Sequence, residues 1–239
     1  MTAGARVPDA APPPAARGAM PDIRAVVERI AEARTRVSAE HSVLVAVSGI
    51  DASGKGFVTA RIADALRERA LRVAAINVDG WLNLRDRRFS AVAPGAHYYR
   101  NAIRFDTLFA ELILPLRERR SHRVEVNHTE ETATAYQRRV HAYDDIDVIV
   151  LEGIFLLKPE LRGYYDLSVW IECGFATALA RAVPRAQEGL SPQDTIRVYE
   201  TTYFPAQRIH FARDDPRRAA TLIVDNDPPR RTQDHRNAR

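Results

Sequence analysis

Hydrophobic positions along the 239-residue chain alternate between two periods. After Pro21 and Asp22, apolar residues recur at Ile23, Val26, Val27, Ile30 and Val37, the three-to-four spacing of an amphipathic helix. From Ser42 to Ser48 the pattern changes to a short continuous run of β-prone residues, as in a strand covered on both faces. A Gly-rich turn follows. A second helical pattern then carries Val58, Ile62, Ala65 and Leu66 on one side as far as about Arg69. Further buried strands are predicted over Arg72–Val78, Asp147–Leu151, Leu167–Ile171 and Thr221–Val224, with helices before each and a short strand over Val124–Asn127. A helix over Asp106–Arg119 aligns Leu108, Phe109, Leu112, Ile113 and Leu116, and Pro115 is expected to end or kink it.

Strands alternating with helices imply an α/β fold, here a five-stranded parallel sheet flanked by helices. In such sheets ligands bind at the C-terminal ends of the strands. The Gly49–Gly56 turn, Asp79 and Glu152 are all expected at such ends. Residues 1–21, rich in Ala and Pro, are expected to be disordered, as is the tail 228–239, leaving one domain over 22–227.

Composition narrows the classes. No apolar run approaches the roughly 18–20 residues of a membrane helix, and the N-terminus lacks the apolar segment of a secretory signal. Cys173 is the only cysteine, so the chain has neither an internal disulfide nor a multi-thiolate metal site. A cytoplasmic protein is the expectation. The mild basic excess, +4 at neutral pH, is almost all arginine: Lys55 and Lys158 are the only lysines. It comes without the aromatic and basic alternation of a nucleic-acid-binding sheet, so neither nucleic acid nor membrane is expected as a partner.

One of those two lysines occupies the slot where a cation has most to do. Gly49, Ile50, Asp51, Ala52, Ser53, Gly54, Lys55, Gly56 and Phe57 follow the phosphate-loop pattern G-x-x-x-x-G-K, with Gly56 where Ser or Thr is usual. Glycines let successive backbone N–H groups turn towards an anion, and the following helix N-terminus adds partial positive charge. Lys55 then reaches the β- and γ-phosphates of a nucleotide. Asp79, at the end of its strand, suits a general base that takes a proton from an attacking hydroxyl. Glu152, at the end of another, suits an acid that holds Mg²⁺ through water.

These motifs, with others in order, resemble the uridine kinase and phosphoribulokinase family over residues 42–227. The resemblance rests on Val47–Lys55, Val78–Asn83, Gly95–Asn101 leading into Phe105–Leu108, Asn127–Thr129, Val148–Phe155 and Leu179–Arg185. It implies a P-loop kinase with a small lid and an acceptor-site insertion, using ATP and Mg²⁺. Asp79 would be the catalytic base and a metal neighbour, and Arg181 and Arg185 would lie on a lid helix closing over the phosphates. His128, with Trp81, Tyr99 and Arg100, would face the acceptor. Arg123 stands where uridine kinases carry a tyrosine, offering a cation to a second anionic group. The acceptor stays open between a pyrimidine nucleoside and a sugar or sugar phosphate. A nucleotide-binding regulator that transfers nothing, favoured by Gly56, is the rival class.

Overall fold

The computed structural model describes residues 22–228. The N-terminal segment 1–21 and the tail beyond Pro228, both expected to be disordered, lie outside the described residues. Strands β1 (Val43–Gly49), β2 (Val73–Asn77), β5 (Val148–Gly153), β6 (Leu167–Glu172) and β7 (Leu222–Asp225) form one sheet in the order β2-β5-β1-β6-β7, all parallel. Strands β3 (His122–His128) and β4 (Gln137–Tyr143) form a separate antiparallel hairpin.

All seven residues of β1 are buried. Successive side chains of a strand point to opposite faces, and here both faces are covered. Val43, Val45 and Val47 join Val26, Val27 and Ile30 of α1 (Arg24–Arg36) and Val58, Ile62 and Leu66 of α2 (Lys55–Glu68). Leu44 and Ala46 join Leu108, Leu112, Leu151 and Trp170 on the opposite face. The apolar run read from the sequence thus reports two packed layers, each driven by removal of apolar surface from water.

Three local expectations are corrected. The Arg72–Val78 segment is an edge strand: only Ala74 and Ile76 of β2 are buried, Ala75 and Asn77 are exposed, and Asp79 lies beyond the strand in a 3₁₀ turn, Val78–Trp81. Pro115 does not end its helix. The chain runs through Phe105–Leu108, a π turn over Phe109–Ile113 and Leu114–Arg119. The Glu111 carbonyl, which a residue with an N–H at position 115 would have engaged, accepts from His122 Nε2 at 2.8 Å. The Val124–Asn127 strand is longer than expected and has a partner, β4, whose mostly exposed and polar residues carry no apolar signal.

Among these layers Leu151 is fully buried on β5, the inner strand between β1 and β2. Leu151→Ala should lower unfolding stability by about 2–5 kcal/mol, read as a lower urea midpoint with an unchanged slope.

Candidate active site

The register of three strands levels the ends of the sheet. Glu152 of β5 pairs with Val47 of β1 on one side and Asn77 of β2 on the other. The Gly49–Gly56 loop and the Val78–Trp81 turn therefore leave the sheet on either side of the Glu152 carboxylate. Asn77 caps that turn by accepting from the Asp79 N–H at 2.8 Å. Together the three segments enclose a cavity of about 290 Å³.

Inside the loop, Ala52 and Gly54 take left-handed backbone angles, with φ of 55° and 87°. Such a curl turns N–H groups inward. At Gly54 the conformation favours glycine, and a Cβ there would also lie 2.3 Å from Asn226 Nδ2. Asn226 Nδ2 and the Arg181 guanidinium both donate to the Ser53 carbonyl, at 2.7 and 3.2 Å, and Arg181 also donates to the Asn226 carbonyl at 2.7 Å. Lys55 is almost fully buried and its Nζ donates to the Ile50 carbonyl at 3.0 Å.

Asp51, Ala52, Gly54, Lys55, Gly56 and Phe57 line the cavity, as do Asp79, Glu152 and Arg185. Helix α3 spans Pro94–Asn101, and Arg185 ends helix α4, Phe175–Arg185, which keeps Pro184 within it. The other predicted residues lie elsewhere. Gly49, Ile50 and Ser53 form the loop's buried underside, and Arg181 braces the loop from outside the cavity. Tyr99 turns away: its hydroxyl donates to Asp214, and Lys158 sits over its ring at 4.2 Å. Neighbours on a helix point about 100° apart, so α3 directs Tyr98 to the cavity, Tyr99 to the core and Arg100 to solvent. Arg123 is exposed on β3, opposite Ala142. Trp81 is buried against His128 and His141, with ring centroids 6.1 and 5.2 Å away, and His128 accepts from Arg139 at 3.0 Å.

Sequence reasoning missed much of the opposite wall: Arg88, Tyr98, Glu131, Gln187, Glu188 and Tyr203. Beyond α4, Gln187 Nε2 donates to Glu131 Oε1 at 2.6 Å and the Tyr203 hydroxyl donates to Glu188, while the Tyr199 hydroxyl donates to Asp51 of the loop. The segment after α4 thus bridges the two walls.

A family model described as the phosphoribulokinase / uridine kinase family matches residues 44–201. The chain belongs to that family. A curated relative, a uridine kinase of Vibrio campbellii, is 27% identical over 169 residues, covering 68% of this chain and 78% of that protein. Two solved structures share the fold. A possible uridine kinase from Bacillus stearothermophilus has a TM-score of 0.63 at 19% identity, covering 83% of this chain and 98% of its own. A D-glycerate 3-kinase from Cryptococcus neoformans has a TM-score of 0.53 at 12% identity, covering 77% and 87%. The P-loop kinases of this family act on different acceptors, so the family establishes a kinase and leaves the acceptor to the site. Among the described residues no helix is long and apolar enough to cross a membrane.

The family implies ATP and, with it, Mg²⁺, and the donors present fit that ion. Asp79 and Glu152 offer hard carboxylate oxygens beside the loop, and Mg²⁺ in phosphoryl-transfer sites takes one or two carboxylates, phosphate oxygens and waters. Among the described residues there is no closed cage of three or more protein ligands, which this mode of binding does not need. Burial pushes the Asp79 carboxyl above its ordinary value, against the pull of Lys55. Burial likewise raises Glu152 to about 7, again opposed by Lys55. Both costs ease when a dication joins them. At Gly56 an added Cβ would meet only Glu152 Oε2, at an ordinary 3.7 Å, with no left-handed backbone angle. A hydroxyl side chain therefore has room beside Glu152, and its absence is a feature of this chain's sequence, with no steric cause. Gly56→Ser should fold with stability unchanged or raised by up to about 0.5 kcal/mol, measured by thermal unfolding.

Burial, with the charges of Asp79 and Asp51, raises Glu131 to about 8. The folded state then holds a proton that the unfolded chain releases, so this group's contribution to stability falls as pH rises from about 4.5 to 8. Glu131→Gln should match wild type in Tm near pH 4.5 and exceed it increasingly towards pH 8.

Proposed function

We propose that this kinase transfers the γ-phosphate of ATP to a hydroxyl of a small molecule, with a pyrimidine nucleoside as the leading acceptor. The observation that carries the reading is the convergence of Lys55, Asp79 and Glu152 in one cavity at the end of a parallel sheet. The nucleoside assignment draws on the similarity to a uridine kinase.

In this reading the loop N–H groups and the Lys55 ammonium hold the β- and γ-phosphates, and Arg185 faces the group in transfer. Arg181 acts through the loop, holding the Ser53 carbonyl so that the neighbouring N–H groups keep their direction. Asp79 and Glu152 would hold Mg²⁺ with its waters. When bound, that ion neutralises charge on the phosphate oxygens. The acceptor oxygen attacks the γ-phosphorus as its bond to the β-bridging oxygen breaks, ADP leaves, and Asp79 receives the hydroxyl proton. Trp81 and His128 stand on the hairpin side of the Asp79 turn, where they would border the acceptor's far end. Arg100 and Arg123, both exposed, would meet the acceptor only if the surrounding segments closed further. Tyr99 would act by packing, through its core contacts.

The test is ADP release from Mg-ATP across uridine, cytidine, sugars and sugar phosphates. Uridine or cytidine should stimulate release in the wild type. Asp79→Asn should lower the rate by about 10²–10⁴-fold, the usual range for a lost general base, and Lys55→Ala should abolish ATP binding. ATP binding with no acceptor-stimulated turnover would overturn the kinase reading in favour of a nucleotide-binding regulator. Stimulation by sugars alone would overturn the nucleoside assignment.

A further inference from the structure

Three cations line the cavity: Lys55, Arg88 and Arg185. Although carboxylates line the same space, none of the three enters an ion pair among the described residues. Lys55 and Arg185 are accounted for by the nucleotide phosphates. Arg88 is not. It is 3% exposed, and its one hydrogen bond among the described residues goes from a terminal nitrogen to the Glu131 backbone carbonyl. Its Nε is buried without a partner. A guanidinium carries five N–H donors in a fixed fork, and burying a charge with donors unspent is costly unless a ligand takes them up.

The surroundings indicate which ligand. Arg88 lies over the Phe89 ring at 5.2 Å, and that ring contacts Tyr98 and Tyr203, with centroids 5.5 and 6.2 Å away. Tyr98 and Tyr203 are themselves 4.9 Å apart and line the cavity with Arg88. These residues come from the segments after the Asp79 turn and from the last long helical stretch. Arg88, Tyr98, Tyr203 and Asp79 all line this one cavity, so the arginine and the base face the same space. The exposed Arg85 lies over the same Phe89 ring at 5.2 Å, but of the two only Arg88 is buried and lines the cavity. Arg88 therefore sets one fork of donors beside an aromatic shelf. A planar or ring-shaped molecule with an oxygen in reach of the fork fits that arrangement.

We propose that Arg88 binds the phosphoryl acceptor and sets its specificity, donating to an accepting oxygen of that molecule (carbonyl, hydroxyl or carboxylate) while the reacting hydroxyl faces Asp79. The inference rests on the kinase reading and does not depend on the acceptor being a nucleoside. Because the same guanidinium holds the Glu131 backbone, whose side chain receives Gln187, acceptor contact at Arg88 is also joined to the segment after α4.

The experiment compares wild type, Arg88→Lys and Arg88→Met with uridine, D-glycerate and ribose 5-phosphate as probes. It measures ADP release, direct probe binding by calorimetry, ATP binding and Tm. For whichever probe the wild type uses or binds, Arg88→Met should raise the acceptor KM or Kd by about 10- to 100-fold, the range of a lost charge-assisted hydrogen bond. KM for ATP should stay within about twofold. Arg88→Lys should recover part of the loss, since it keeps the charge but not the fork. Unchanged acceptor KM in Arg88→Met overturns the proposal. So does an equal rise in KM for ATP, which would make Arg88 a phosphate ligand, or a fall in Tm with no separation of the two KM values. Use of D-glycerate with no response to uridine sinks the nucleoside reading and leaves Arg88 supported if Arg88→Met loses that substrate. Binding of none of the three probes by the wild type also overturns it.

Discussion

The burial of β1 on both faces is the constraint on which the rest depends. A strand flanked by β5 and β6, with α1 and α2 on one face and the remaining helices on the other, can neither slip nor turn over without moving its valines out of one layer into the other. That fixes where Gly49 leaves the sheet and where α2 begins. The same register sets Glu152 level with Val47 and Asn77. Three functional groups from distant parts of the chain share one cavity because three strands end at one level.

The interior of that cavity is electrostatically incomplete without its ligands. Lys55 and Arg88 spend their hydrogen bonds on backbone carbonyls, not on the nearby carboxylates. The Asp79, Glu131 and Glu152 carboxyls are pushed towards protonation mainly by burial. Under the proposed function both halves would gain partners from a polyphosphate with its dication and from an oxygen-bearing acceptor. A site preorganised in this way supplies fixed charge where charge develops in the transition state, with little rearrangement at that moment.

Aromatic side chains divide the labour around the same cavity. Tyr98 and Tyr203 line the cavity side by side, while Tyr99 is committed to a buried network with Asp214, His210 and Lys158. Tyr199 reaches the loop through Asp51, and Tyr203 reaches Glu188 in the segment after α4. Hydroxyls therefore tie the last long helical stretch to the phosphate loop and to the segment after α4.

Local pattern alone was enough for the parallel sheet, the phosphate loop, and Asp79 and Glu152 at its edge. Continuous apolar runs, a Gly-rich turn and acids at strand ends are each properties of neighbouring residues, and the family resemblance drew on the same segments. What the sequence could not show depends on direction and on distant partners. Tyr98 and Tyr99 are adjacent in the chain, and only the packing of α3 decides which faces the cavity. The family resemblance implies Arg181 over the phosphates beside Arg185, whereas the fold sets its guanidinium against the Ser53 and Asn226 carbonyls. Strand β4 has few apolar residues because its outer face is exposed, so only its pairing with β3 reveals it. Arg88 gives no sign of its burial in a run of arginines. Its burial and its unpartnered Nε appear only in the folded chain, because burial and unspent donors are properties of the tertiary structure, whereas periodicity is a property of the chain.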